Sequence, residues 1–155
     1  MRVSFIGGGV MAEAILAGIL DASLAAPANV RIGEPLELRR AHLRAKYGVT
    51  AVESNAEALS GAEMVVLAVK PQGLAGVMAD IGDDLEPGQT VLSIIAGARM
   101  DTLVSGLDHS MVVRVMPNMP AQIGAGMTVW TATEDVPAES VEASREILRT
   151  LGEEI

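Results

Sequence analysis

The chain has 155 residues, of which half are hydrophobic and 20% are charged, as is typical of one folded domain with its own core. It lacks cysteine, which excludes disulfides and thiolate metal sites and agrees with a reducing, cytoplasmic location. A formal net charge of −9, without a Lys/Arg-rich run, disfavours nucleic-acid binding.

The first 20 residues are apolar enough to raise the question of a membrane segment or a secretion signal. No stretch reaches the roughly 18 consecutive apolar residues of a transmembrane helix. Glu13 and the glycines Gly7 to Gly9 interrupt the apolar region that a signal peptide would need. We therefore interpret this stretch as part of the fold and expect no membrane association.

Short apolar runs alternate with segments of helical periodicity along the whole chain. In chain order, the first half predicts strand 2–6, helix 11–21, strand 29–32, helix 36–47, strand 49–52 and helix 55–59. The second half predicts strand 64–69, helix 71–81, strand 90–95, a helical turn at 100–105, strands 111–116 and 126–132, and helix 137–150. Met11, Ile15, Leu16 and Ile19 share the apolar face of the first helix.

This alternation predicts an α/β fold, a doubly wound and mainly parallel sheet with helices on both faces. The run "MVVLAV" is continuously apolar, as expected of a central parallel strand covered on both sides. In such folds ligands bind beyond the carboxyl ends of the strands. The loops after the first, fourth, fifth and sixth strands are therefore the candidate functional segments.

The loop after the first strand contains the pattern G-x-G-x-x-A, formed by Gly7, Gly9 and Ala12. The first glycine permits a tight turn, the second lets a diphosphate approach the backbone, and the alanine lets the helix pack closely on the strand. The helix N-terminus then offers free N–H groups and a partial positive charge. Because the pattern follows a strand and opens a helix, it predicts a Rossmann-type dinucleotide site.

Glu34 follows the second strand, 22 residues beyond Ala12, where an acidic residue can accept hydrogen bonds from both ribose hydroxyls of NAD. A carboxylate there would repel the 2′-phosphate of NADP. Arg39 and Arg40 follow closely, and they either reach back to such a phosphate or belong to a solvated helix start. Glu34 favours NADH, and NADPH stays open.

Later strand ends carry further candidates. Lys70 ends the fourth strand and either meets the cofactor or is solvated. Ala96 and Gly97 leave room for a ring or a ribose after the fifth strand. After the sixth strand, Pro117 and Pro120 restrain a loop in which Asn118 offers donors and an acceptor.

The motifs "FIGGGVMAEAI", "ESNAEAL", "VKPQ", "SIIAG" and "RVMPNMPA…GAGMT", in this order, resemble pyrroline-5-carboxylate reductase. The resemblance implies hydride transfer from NAD(P)H to the C=N bond of a cyclic imino acid, giving L-proline, the last step of proline synthesis. It implies a cofactor site formed by Gly7, Gly8, Gly9, Val10, Met11, Ala12, Glu34, Asn55, Ala68, Val69, Lys70, Pro71, Ala96, Gly97, Met116, Pro117 and Asn118. Many members carry small or basic residues in place of Glu34, which sets this chain apart.

The family is about twice as long and continues into a helical domain that dimerises and forms the substrate pocket. The resemblance therefore implies that residues 1–155 are one dinucleotide-binding domain of a homo-oligomeric enzyme, inactive alone, whose helical domain lies outside the chain. The alternatives are another NAD(P)-dependent imine or hydroxy-acid oxidoreductase, and a lone nucleotide-sensing module.

No catalytic residue can be assigned from the sequence. His42 lies on a charged helix face and His109 in a polar turn before a strand, so a solvated role is expected for both. No metal-ligand motif is present, and no metal is expected.

Overall fold

The computed structural model describes all residues, Met1–Ile155, and forms one eight-stranded sheet with six helices. The strands are β1 Val3–Ile6, β2 Val30–Gly33, β3 Thr50–Val52, β4 Met64–Leu67, β5 Thr90–Ser93, β6 Val112–Met116, β7 Gly126–Ala132 and β8 Gly152–Glu154. The helices are α1 Val10–Asp21, α2 Glu37–Tyr47, α3 Asn55–Leu59, α4 Leu74–Ile81, α5 Met100–Leu107 and α6 Ala138–Arg149. None of these helices combines the length and apolarity needed to span a bilayer.

The sheet has the strand order β3-β2-β1-β4-β5-β6-β7-β8. All neighbouring strands are parallel except β6 and β7, which are antiparallel. The predicted doubly wound, mainly parallel α/β fold is thus confirmed. Because the chain first winds outward through β2 and β3 and then returns to β4, the strand order reverses between β1 and β4, where such folds open a crevice.

Two aliphatic cores cover the two faces of the sheet. The larger has 22 buried residues and includes side chains of α1, α2 and α6, such as Ile15, Leu43 and Ile147. The smaller has 14 buried residues and includes side chains of α3, α4 and α5. Phe5 is completely buried, and the other buried apolar side chains are aliphatic except for the thioether of Met64.

Several sequence-based expectations need correction. The fifth strand ends at Ser93, before the expected residue 95, and the helix expected from Pro71 starts with a 3₁₀ turn and becomes α4 only at Leu74. The fourth strand ends at Leu67, because Ala68 and Val69 already turn toward the glycine loop. Met11 is only half-buried because it lines a cleft, and Ala12 is buried instead. A further strand, β8, lies within the chain and pairs with β7.

Apolar side chains at the end of β6, on β7 and at the last residue stay exposed on one face of the sheet. Met116 pairs in register with Val129, and Met127 lies two residues earlier on the same face. These side chains and that of Ile155 are 45–71% exposed. An apolar strip therefore lies open beside the end of β6.

Candidate cofactor site

The carboxyl ends of β1, β2 and β4 meet at the glycine loop. Gly7 follows β1 with a φ of +98°, and its N–H donates to the carbonyl of Gly33 at 2.8 Å. A Cβ on Gly7 would lie 2.8 Å from the carbonyl oxygen of Ala68 after β4. Only glycine meets both conditions, because L side chains rarely adopt this φ and no space exists for a Cβ.

The loop and the first turn of α1 present unpaired N–H groups. Those of Gly8, Gly9, Val10, Met11 and Ala12 find no backbone acceptor, and no side chain caps the helix. A Cβ placed on Gly9 would meet no atom within 4 Å. This combination of free donors, a helix N-terminus and open space fits the diphosphate of a dinucleotide.

Glu34 lies beside this loop, at the end of β2. Its N–H donates to the carbonyl of Val52 at 2.9 Å, and its Cβ is 3.5 Å from the position a Cβ of Gly8 would take. The residue is only 8% exposed, yet its carboxylate makes no hydrogen bond and no ion pair within the chain. Because its oxygens have no protein donor and are not among the buried unpaired atoms, this carboxylate is a ready acceptor for ligand hydroxyls.

Arg39 and Arg40 are both engaged by the protein. Arg39 donates through Nε to the carbonyl of Gly8 and through Nη2 to that of Gly9 at 3.2 Å, and it pairs with Glu13. Arg40 donates to the carbonyls of Glu34 and Pro35 at 2.7 and 2.8 Å, and to Glu37. Both guanidinium groups therefore have hydrogen-bond acceptors within the chain.

Glu13 collects four donors from α2: Arg39, His42 at 3.0 Å, Lys46 at 3.2 Å and Tyr47 at 2.8 Å. Partial burial would raise the pKa of Glu13, but the hydrogen bonds outweigh it and lower the pKa to about 2. Sequence reasoning treated Glu13 only as a charge that rules out a signal peptide. The signal it missed is the spacing of 39, 42 and 46, which places three basic residues on one helix face.

Four of the predicted site residues follow β3 and β4, and two of them approach the glycine loop or the end of β2. Val69 would be 3.1 Å from a Cβ on Gly7, and Asn55 Oδ1 packs against Gly33. Asn55 Nδ2 donates to Asp80 at 3.1 Å. Lys70 is exposed and precedes the 3₁₀ turn that begins at Pro71.

A cleft of about 520 Å³ lies next to the glycine loop, beyond β5 and β6. It is lined by six predicted residues, Met11, Ala96, Gly97, Met116, Pro117 and Asn118, and by four that were not predicted, Ile94, Val115, Met119 and Gln122. Met11 connects the cleft to the first turn of α1. The lining contains no titratable side chain, so the cleft suits an uncharged, flat group.

Two hydrogen bonds hold the loops around this cleft. Asn118 Oδ1 accepts from the N–H of Met127 at 3.0 Å, which fixes the side-chain amide. Arg114 Nε donates to the carbonyl of Ala98 at 2.6 Å and so ties β6 to the loop after β5.

The two histidines lie outside the cleft. His42, on α2, contacts Glu13 of α1. His109 lies in the loop before β6, and its Nε2 contacts the carbonyl of Gln89, just before β5, at the amino ends of the strands. A second cavity, of about 240 Å³, also lies at that opposite edge, beside Arg2 and Arg31, and includes no predicted residue.

Fold and site together define a nucleotide-binding domain of the NAD(P)-dependent oxidoreductase class. The family model described as "NADP oxidoreductase coenzyme F420-dependent" matches residues 2–97, and the chain belongs to that family. Over almost its whole length, the chain is also similar to the N-terminal part of proteins named pyrroline-5-carboxylate reductase.

Individual relatives agree with this assignment. Pyrroline-5-carboxylate reductase of Synechocystis sp. is 38% identical over 153 residues, covering 98% of this chain and 57% of the relative. The solved structure of a pyrroline-5-carboxylate reductase from Coxiella burnetii superposes with a TM-score of 0.94 at 29% identity, covering 99% of this chain and 57% of that one. The Plasmodium falciparum pyrroline carboxylate reductase with NADP bound shares the fold, with a TM-score of 0.85 at 24% identity, and the match covers 100% of this chain and 56% of that one. The chain thus spans just over half the length of these relatives.

Proposed function

We propose that residues 1–155 form one dinucleotide-binding domain and hold NAD(P)H for an enzyme that reduces the C=N bond of 1-pyrroline-5-carboxylate to L-proline. The single observation that carries the proposal is the set of unpaired N–H groups from Gly8 to Ala12 at the point where the strand order reverses. The reaction is proposed from the names of the relatives, which are pyrroline-5-carboxylate reductases. The proposed reaction consumes NAD(P)H, and the chain lacks cysteine; both points agree with a cytoplasmic location.

The predicted site residues divide along the crevice by what each can contact. The diphosphate would lie against Gly7, Gly8, Gly9, Val10, Met11 and Ala12, and the adenosine side against Glu34, Asn55, Ala68, Val69, Lys70 and Pro71. The nicotinamide would enter the 520 Å³ cleft beside Ala96, Gly97, Met116, Pro117 and Asn118. When bound there, NAD(P)H supplies the hydride for the C=N carbon.

We propose NADH as the preferred cofactor. The carboxylate of Glu34 has no partner in the chain and is available to two ribose hydroxyls, whereas a 2′-phosphate would meet a like charge. Arg39 and Arg40 are both occupied by protein acceptors, so neither is free to neutralise that phosphate.

The lining of the cleft has no titratable group. The proton for the imine nitrogen must therefore come from a group outside this lining. The resemblance attributes the substrate pocket and the dimer contacts to the helical part of the longer relatives. The exposed strip of Met116, Met127, Val129 and Ile155 supports an additional packing surface beside the cleft. We therefore expect cofactor binding, but little turnover, from these 155 residues.

Titration of the protein with NADH, NADPH and ADP-ribose, followed by a steady-state assay with pyrroline-5-carboxylate, tests the proposal. Saturable binding of all three ligands with little imine reduction is expected. Absence of any dinucleotide binding would overturn the cofactor role. Efficient turnover would instead overturn the attribution of the substrate pocket to another part of the enzyme.

A further inference from the structure

We propose that Glu13 determines cofactor preference without touching the cofactor, by holding Arg39 against the glycine loop and away from Glu34. The inference rests on the proposed dinucleotide binding and adds a positioning residue from α1 to it. Neither the glycine pattern nor the acid at the end of β2 implies such a role.

The first step concerns the two carboxylates that compete for Arg39. Arg39 and Glu34 both flank Gly8: the Arg39 Nε donates to the Gly8 carbonyl, and Glu34 Cβ lies 3.5 Å from the Cβ position of Gly8. Nevertheless Arg39 pairs with Glu13 and not with Glu34. Glu34 stays without a cation within 4 Å.

The second step concerns the charge that Glu13 gathers. Arg39, Lys46 and, when protonated, His42 are the basic groups that face Glu13 from α2, and Tyr47 adds a hydroxyl. The side chain of Glu13 is only 17% exposed, so its ion pairs are less screened than those on the surface. Arg39 is therefore held on the α1 side of the loop, whereas Arg40 donates to the backbone carbonyls of Glu34 and Pro35.

The third step concerns what Arg39 does to the loop. In a trans peptide the C=O of one residue and the N–H of the next point in opposite directions. With the carbonyls of Gly8 and Gly9 turned toward Arg39, the N–H groups of Gly9 and Val10 point away from it, toward open space. The Glu13–Arg39 pair thus orients diphosphate donors while it leaves Glu34 free for the ribose.

Loss of the Glu13 carboxylate leaves Arg39 free to pair with another anion. In the protein alone that anion is Glu34, the other acidic residue that flanks Gly8, whose ribose contacts with NADH then weaken. With NADPH it is the 2′-phosphate, which an arginine can bind with two parallel hydrogen bonds. Both effects shift the ratio of NADH to NADPH affinity toward NADPH.

The test compares NADH and NADPH dissociation constants, measured by fluorescence titration near pH 7, for the wild type, Glu13→Gln, Arg39→Gln and the double variant. Glu13→Gln is expected to shift the ratio about tenfold toward NADPH, as for loss of one charged hydrogen bond. The same change in the Arg39→Gln background is expected to have no effect on the ratio, because Glu13 acts through Arg39. A merely structural role would weaken both cofactors alike in both backgrounds.

Glu142→Gln is the matched control, since it removes a carboxylate that pairs with Arg145 and Arg149 on α6. It should leave the ratio unchanged. If Glu13→Gln fails to fold, as judged by thermal melting, Glu13→Asp withdraws the carboxylate from Arg39 and should shift the ratio in the same direction. A wild type that binds both cofactors, with an unchanged ratio in the folded Glu13 variant, overturns this inference alone. A wild type that binds neither overturns the proposed function as well.

Discussion

At the scale of single residues, Glu13 connects α1 to α2 more strongly than any other polar side chain in the site. Four donors converge on one carboxylate in the first helical turn after the glycine loop. The same contacts raise the pKa of Lys46, through its hydrogen bond to Glu13. Burial, followed by the hydrogen bond to Glu13, raises the pKa of Tyr47.

The lowered pKa of Glu13 predicts a specific pH dependence of stability. An acid whose pKa falls from 4.5 to about 2 on folding stabilises the protein above pH 4.5, and this stabilisation is lost as the pH falls toward 2. We expect Glu13→Gln to cost about 1–2 kcal/mol of unfolding free energy at pH 7, after allowance for screening by water. Urea unfolding from pH 7 to pH 2 measures it.

The difference between wild type and Glu13→Gln should shrink between pH 4.5 and pH 2, because protonated Glu resembles Gln. Glu142→Gln, on the far helix α6, serves as the comparison and should show a much smaller difference. A difference that stays constant over the whole range would contradict the ionised state of Glu13.

Glu34 carries the residue-scale prediction for cofactor choice. Glu34→Ser removes the charge that would repel a 2′-phosphate and keeps a hydroxyl at the end of β2, so the ratio of affinities should move toward NADPH by about tenfold. Parallel titrations with NADH and NADPH check this. Equal changes in the dissociation constants of both cofactors would show that Glu34 does not distinguish the ribose 2′-hydroxyl from a 2′-phosphate.

At the scale of elements, the glycine loop joins three strands that are distant in sequence. The Gly7 N–H donates to the carbonyl of Gly33, the last residue of β2, and Gly7 closely approaches Ala68 after β4. Gly7→Ala should therefore destabilise the fold itself, by roughly 2 kcal/mol or more, since it combines a positive φ with a clash against backbone. Thermal or urea unfolding in the absence of cofactor measures the loss, and Gly73→Ala, at a position with open space, is the control.

Local periodicity predicted most of the elements because apolar positions and helix caps are encoded within a few residues. Gly48 ends α2 with a φ of +71°, and Ser54 caps α3 by accepting from the N–H of Glu57. The antiparallel orientation of β7 was not predicted, although the length of its connection to β6 indicates it. Only nine residues, 117–125, connect β6 to β7, too few for a parallel crossover with its helix.

The candidate site was predictable where it depends on backbone geometry and not where it depends on long side chains. The glycine pattern encodes its own turn, so Gly7, Gly9 and Ala12 could be assigned from spacing alone. The contacts of Arg39 with Gly8, Gly9 and Glu13 join residues at least 26 positions apart. Their partners follow from how α2 packs beside α1, which local sequence does not specify.

At the scale of the whole molecule, a protein of net charge −9 is proposed to bind a polyanionic cofactor. The net negative charge of the protein does not attract an anionic cofactor over long range, so the binding affinity must come from local hydrogen-bond donors. The helix N-terminus, the unpaired N–H groups and the switch point between β1 and β4 provide them at one place. Added salt should therefore weaken cofactor binding less than it would at a site that depends on a basic surface.

The affinity of Gly9→Val for NADH tests the central claim most directly. Gly9 has a φ of −79°, which valine adopts readily, and a Cβ there meets no protein atom within 4 Å. The melting temperature without cofactor should therefore stay close to that of the wild type, while the dissociation constant for NADH should rise by about 100-fold or more as the side chain fills the space of the diphosphate. A folded Gly9→Val protein that binds NADH as tightly as the wild type would contradict the account.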